Sequence, residues 1–252
     1  MQKSKESVLN ELLALSHHLG EEANDYVIIG EGNTSARIEP ETFWVKASGR
    51  NLKTIGPDGF VEIYLERVLA LLDQPAGDED VTRVLLDARV ELAAAARPSV
   101  ETILHAVLYH LTDAQLIGHT HATAVNVILC SQRAHEITTH LMPDEIVVCG
   151  AHSVFVPYTD PGLALARQVQ AQVSDFIARY AVTPRVIYLQ NHGLFALGQS
   201  ARQVENITAM AVKHARILAG TYLLGGPRRL DDRDVARIHT RPDEAVRRKQ
   251  FE

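Results

Sequence analysis

The 252-residue chain predicts one α/β domain with a central, mostly antiparallel sheet and helices on its faces. Three observations carry that prediction. Segments with helical apolar spacing alternate with short β-rich runs bounded by Gly, Asn and Ser. Hydrophobic residues make up 46% of the chain and are spread along it, enough material for a sizeable core. No internal repeat or low-complexity stretch divides it.

Taken in order, residues 6–24 place Val8, Leu9, Leu12, Leu13, Leu15 and Leu19 on a broad helical stripe. DYVIIGEGNTSARIEPETFWVKASGRNL reads as a short meander with turns at 31–34 and 39–41. Residues 64–72 and 80–96 read as helices separated by the soft linker DQPAGDED. Pro98-Ser99 opens another helix, with Ile103, Leu104, Val107, Leu108 and Leu111 as its buried face. LIGHTH is a strand candidate and ATAVNVILC an apolar helix. EIVVCG and RVIYLQ are short β-branched runs with a helix over 161–180 between them. LFALG follows NHG so closely that RVIYLQNHGLFALG reads as two strands joined by a turn. Residues 203–223 form the last long helix. The domain then spans 1–224, and the arginine-rich stretch over 225–252 is a charged arm on the surface or at a subunit contact.

The formal charge of −6, from 25 basic and 31 acidic residues, gives no electrostatic case for nucleic-acid binding. No apolar run approaches the ~20 residues of a membrane span. The N-terminal MQKSKESVLNELLALSHHLG carries acids and lacks a small-residue cleavage site, so it reads as an amphipathic helix and not a signal peptide. Cys130 and Cys149 sit in no ligand spacing and read as small buried hydrophobes in a reducing cytosol, which makes a cytoplasmic protein the expectation.

The chemistry concentrates in three histidines, His119 and His121 in LIGHTHATA and His192 in LQNHGLFALG. In an extended segment a His-x-His pair puts both rings on one face. A third imidazole from a distant segment completes a three-nitrogen catalytic zinc set with one position open to substrate. Gly193 beside His192 permits close backbone approach or an unusual φ, or is simply a hairpin turn residue. Among the other histidines, His17, His18, His214 and His239 read as solvent-facing. His105, His110, His135, His140 and His152 carry no local signal for a direct role. Glu101, read locally, is a first-turn carboxylate favoured by the helix dipole by ~0.3–1 kcal/mol. An acid–base role requires it to project toward the metal. Three segments have the N–H-rich chemistry that cradles an oxyanion: Gly32-Asn33-Thr34-Ser35, Ser48-Gly49 and the helix start at Ser99. Neither GxxxxGK[ST] nor GxGxxG is present, so nothing supports a nucleotide site.

Together, GNTSARI, VKASGRNL, PSVETILHAVLYH, GHTHATAV and LQNHGLFALG resemble, in order and spacing, the class II aldolase/adducin family, over about residues 6–223. The resemblance implies an α/β/α layered fold with a largely antiparallel sheet and a C4 tetramer with active sites at subunit boundaries. It implies zinc, or manganese, cobalt or iron in its place, on His119, His121 and His192. Glu101 becomes the acid–base, and Gly32, Asn33, Ser48, Gly49 and Ser99 hold the phosphate of a sugar phosphate. The implied reaction cleaves a ketose 1-phosphate to dihydroxyacetone phosphate and an aldehyde through a metal-stabilised enediolate.

Some positions depart from the family's fuculose-phosphate type. Val100 replaces the second serine of the phosphate-binding pair, and SQRAHEITTHLMPDEI lacks the tyrosine expected to serve the leaving aldehyde, with His140 near that place. Lys46 is either a charge for the anionic substrate or a solvated strand lysine. VKASGRNL, PSVETILHA and RPDEAVRR stand closer to the aldolase half of bifunctional rhamnulose-phosphate aldolase/dehydrogenases. Alternatives on the same scaffold are a 4-epimerase, a sugar-phosphate dehydratase, and a non-catalytic adducin-like binding protein; the last predicts damaged metal ligands, yet all are present.

Overall fold

The computed structural model of the chain describes residues 3–251. Seven strands form one sheet: β1 (Asn33–Glu39), β2 (Thr42–Lys46), β3 (Phe60–Tyr64), β4 (Leu116–Thr120), β5 (Val154–Val156), β6 (Val186–Leu189) and β7 (Gly193–Gly198). Their spatial order is β3-β2-β1-β4-β7-β6-β5. Every neighbouring pair is antiparallel except β5 and β6. The sequence therefore folds as the mostly antiparallel sheet it predicts.

Side-chain alternation divides the core between the two faces of this sheet. One face carries Phe43, Val45, Ile63, Ile117, Ile187, Phe195 and Leu197. It is covered by residues of α2 (Leu65–Leu69), α3 (Asp78–Asp87), α4 (Thr102–Leu111) and α7 (Leu163–Tyr180). The other carries Ala36, Leu116, Val186, Tyr188, Leu194 and Ala196. It packs against α1 (Lys5–Leu19), α5 (Thr123–Leu129), α6 (Pro143–Cys149) and α8 (Ala201–Thr221). The α1 stripe is buried through Val8, Leu12, Leu15 and Leu19, each buried leucine contributing about 1.5–3 kcal/mol of transfer free energy. Two further helices, α9 (Asp232–Thr240) and α10 (Pro242–Phe251), lie against α6, with Val235 buried.

Four local expectations are corrected. EIVVCG is not a strand: Pro143 opens α6, Asp144 and Glu145 fill its acidic first turn, and Gly150 ends it at φ 96°. Packing on α8 overrides the β propensity of Ile146, Val147 and Val148. The helix expected to run to residue 96 stops at Asp87. Beyond it the backbone pairs with the edge of β3, where Tyr64 N–H donates to the Ala88 carbonyl and Val90 N–H to that of Glu62. The Arg89 guanidinium then binds the carbonyls of Leu86 and Ala94. His214 is fully buried, because α8 is enclosed along most of its circumference. Cys149 is buried as expected, whereas Cys130 is exposed.

Candidate metal centre

The site is assembled where the C-terminal end of β4 meets the starts of β1 and β7. Register places Asn33 opposite His119 across β1 and β4, and His119 opposite Phe195 across β4 and β7. Cross-strand partners share a face, so these three side chains project toward α4. The His119 ring stacks on Phe195, centroids 4.2 Å apart at 16°. His121 follows one residue after β4. His192 sits in the tight β6–β7 turn behind Asn191, whose φ of 56° is left-handed. Asn126 of α5 joins the two histidine loops, its amide donating to the carbonyls of His192 (3.0 Å) and His121 (3.4 Å).

Two glycines permit this convergence by close approach. A Cβ on Gly193 would stand 2.4 Å from the Thr120 carbonyl oxygen and 2.9 Å from His121 Cδ2. Gly193 opens β7 without a positive φ, so close approach, and not an unusual φ, is what requires glycine here. A Cβ on Gly32, at φ +68°, would meet Val27 Cγ1 at 2.6 Å and the His119 carbonyl at 2.8 Å.

One ligand atom from each of Glu101, His119, His121 and His192 falls within a 4.8 Å cluster. His121 Nε2 lies 3.0 Å and His192 Nε2 3.3 Å from His119 Nε2. Glu101 Oε1 lies 3.0 Å from His192 Nε2 and 3.5 Å from His119 Nε2. The far nitrogens fix the tautomers. His119 Nδ1 donates to the Leu194 carbonyl at 3.0 Å, and His121 Nδ1 faces the Glu31 carboxylate at 3.3 Å. Both partners only accept, so in neutral rings the proton sits on Nδ1 and the lone pair on Nε2. Nε2 lone pairs facing each other at 3.0 Å repel unless a cation lies between them. The donor set therefore fits a divalent metal, with nitrogen ligands suited to zinc and its neighbours.

Burial, reinforced by the imidazoles of His119 and His192, pushes His121 down to about 3, which keeps it neutral as a ligand must be. Burial alone would push the Glu101 carboxyl up, but His119 and His192 outweigh it and hold the group well below the usual carboxylate range. Glu101 occupies the N-cap position of α4 and not its first turn. Ser99 does not cap that helix; its Oγ is buried without a hydrogen-bond partner.

The phosphate candidates surround this cluster unevenly. Both polar atoms of the Asn33 side chain are engaged, Nδ2 with Glu101 Oε2 and Oδ1 with His105 Nε2. Ser48 and Gly49 lie in an exposed turn, Gly49 at φ +75° with open space where a Cβ would go. Lys46 is not a solvated strand residue: it is 4% exposed, and Nζ donates to the Gly30 and Arg50 carbonyls at 3.0 and 2.6 Å. It thus ties the loop carrying Gly32 to the loop carrying Gly49. His140 is held by Glu145 and the Ala151 carbonyl, beside α6 on the opposite face of the sheet from this chain's own histidine cluster. Glu31 and His105 belong to the site although their sequence surroundings single out neither; their partners lie 90 and about 70 positions away.

The sequence profile of the Class II Aldolase and Adducin N-terminal domain matches residues 10–219. The uncharacterized oxidoreductase YuxG of Bacillus subtilis is 26% identical over 195 residues, which is 74% of this chain. The chain spans only 26% of that relative's length. A methylthioribulose-1-phosphate dehydratase of Microcystis aeruginosa is 24% identical over 200 residues, covering 76% of this chain and 85% of the relative. A solved L-fuculose 1-phosphate aldolase shares the fold, with a TM-score of 0.69 at 20% identity over 94% of this chain and 96% of its own. Among the described residues, no helix is long and apolar enough to cross a membrane.

Proposed function

The chain belongs to the class II aldolase and adducin family, and we propose that within it the protein is a divalent-metal-dependent lyase, with zinc as the first expectation, acting on a ketose 1-phosphate. The observation that carries this reading is the meeting of three Nε2 atoms and one carboxylate oxygen in a single 4.8 Å cluster. His119, His121 and His192 would hold the ion. When bound, it supplies the positive charge that acidifies a carbon next to a carbonyl and stabilises the resulting enediolate. The protein's own residues do the rest. Glu101 Oε1, on the side of the three nitrogens, moves the proton at the carbon α to the carbonyl. Phe195, fully buried beneath His119, keeps that side of the site dry and strengthens the local electrostatics. The Leu194 carbonyl and Glu31 keep Nε2 of His119 and His121 free to ligate.

For the phosphate, the turn amides at Gly32 and Gly49 and the hydroxyls of Ser48 and Ser99 would supply donors, the Ser48 N–H being taken by the Arg97 carbonyl, with Lys46 holding the two loops together. The Asn33 side chain is bound to Glu101 and His105 and its backbone is paired with His119 across the sheet, so Asn33 serves here only by fixing the turn that carries Gly32.

Aldol cleavage is the first reading, with the C3–C4 bond broken and dihydroxyacetone phosphate released. A dehydratase is the second, favoured by the Microcystis relative. Where cleavage takes the proton of the C4 hydroxyl and returns one to C3, dehydration would have Glu101 remove the C3 proton while the C4 hydroxyl leaves as water, with the carbon skeleton whole. Carbon NMR of ketose 1-phosphates incubated with the metal-loaded protein decides between them. Dihydroxyacetone phosphate plus an aldehyde supports the aldolase. An intact, dehydrated skeleton supports the dehydratase. Turnover of neither kind by a protein holding about one metal per chain, with that metal lost in His121→Ala, would reject the lyase reading.

A further inference from the structure

On α4 and its N-cap, Glu101, His105 and Tyr109 recur every four residues, and on β1 Asn33 and Ser35 recur every two. Four helical residues rise about 6 Å and two strand residues about 6.6 Å, so the two series run in step where helix packs on strand. Their polar atoms interleave. Ser35 Oγ lies 2.8 Å from the Tyr109 hydroxyl and 2.7 Å from His105 Nδ1. His105 Nε2 meets Asn33 Oδ1, and Asn33 Nδ2 meets Glu101 Oε2. Ser35, Asn33, His105 and Tyr109 are all buried.

One placement of protons satisfies every contact. A carboxylate only accepts, so Asn33 turns its NH2 toward Glu101 and its carbonyl toward His105. His105 must then carry its proton on Nε2 and accept at Nδ1 from the Ser35 hydroxyl, whose oxygen accepts from Tyr109. Burial pushes the His105 imidazole down to about 3, keeping it neutral, and pushes the Tyr109 phenol up, keeping it a donor. The edge of His105 also rests on Phe195, the ring beneath His119.

We propose that Tyr109, Ser35, His105 and Asn33 form a one-way donor chain that holds Glu101 by Oε2 and presents Oε1 to the histidine cluster. Asn33 and His105 are thereby positioning residues for the proton transfer, a role that rests on the lyase reading given above. Donors all pointing the same way polarise one another, so the chain stiffens the carboxylate as well as aiming it. An asparagine free to flip would offer its carbonyl to Glu101 and push the carboxylate away.

The test uses the full-length, zinc-loaded, nitrogen-15-labelled protein. Long-range proton–nitrogen NMR is expected to find His105 as the Nε2–H tautomer, with that proton resonance displaced in Asn33→Ala. In deuterium exchange of dihydroxyacetone phosphate, His105→Phe is expected to lower kcat on the order of 100-fold at unchanged KM and zinc content. His105→Gln, which retains a donor toward Asn33, is expected to recover part of the loss. Ser35→Ala serves if His105→Phe does not fold, and should lower kcat in the same selective way. An Nδ1–H tautomer, wild-type kcat in His105→Phe or Ser35→Ala, or a loss confined to KM would overturn the chain. A wild-type protein that exchanges no proton of dihydroxyacetone phosphate refutes the aldolase branch of the lyase reading, whereas an Nδ1–H tautomer in a protein that does exchange refutes the donor chain alone.

Discussion

Glu31 reaches the cluster from outside it. One carboxylate oxygen accepts the Ile28 N–H at 2.8 Å, and the other faces His121 Nδ1 at 3.3 Å. A carboxylate on the far nitrogen of a ligating histidine fixes its tautomer and raises its basicity. Glu31→Gln is therefore expected to weaken divalent-metal binding about 10–100-fold, read by competition against a chelator. Affinity within error of wild type would mean that Glu31 only closes its own loop. At this scale, legibility followed how local the signal is. His119, His121 and His192 stand in short motifs whose period or turn chemistry announces them. Glu31 lies inside a turn that glycine and asparagine already explain, and His105 lies on an apolar helix face; each shows its role only once a distant strand is beside it. Lys46 was open between two readings because side-chain burial on β2 depends on loops that no strand pattern describes.

Between elements, the β4–β7 contact carries the site, and Gly193 is its tightest point. Gly193→Ala forces a methyl against the Thr120 carbonyl and the His121 ring, neither of which can yield without moving the loop that carries His121. The expected cost is about 1–3 kcal/mol of stability, together with weaker metal binding. A thermal melt and a metal titration matching wild type would contradict it. The α6–α9 contact holds a second titratable centre. Both ring nitrogens of His140 face acceptors, the Glu145 carboxylate and the Ala151 carbonyl, so the imidazolium is the form that satisfies both. Burial would push His140 down, but Glu145 outweighs it, and Asp232 adds to the rise, while His214 and His152 also border the centre. A raised histidine contributes stability that is fully present below its unfolded value near 6.5 and is lost as pH climbs through the folded value. His140→Gln should accordingly lower Tm more at about pH 6 than at about pH 9; equal losses at both would sink the ion-pair account. The misread elements fail for related reasons. EIVVCG has strand composition, but Pro143, the acidic first turn and the α8 surface make it a helix. The stretch after Asp87 has helix composition, but the edge of β3 takes the backbone of Ala88, Arg89 and Val90.

Across the whole molecule, strand order explains why the site can exist. β1 and β4 are far apart in sequence yet adjacent in the sheet, and β7 lies on the other side of β4. The starts of β1 and β7 thus flank the end of β4, and α4 crosses the same face to deliver Glu101. Alternation and helical periodicity made the layers legible. Strand order follows from no local pattern, and the resemblance of five motifs in register implies only a central, largely antiparallel sheet, not the order of its strands. The function proposed for this convergence is to move a proton to and from carbon with Glu101 as the acid–base. Deuterium exchange into dihydroxyacetone phosphate, compared between wild type and Glu101→Gln at equal metal content, is the decisive measurement. Exchange in wild type and its loss in Glu101→Gln, with the metal still bound, is the result expected. Equal exchange in the two proteins would contradict it.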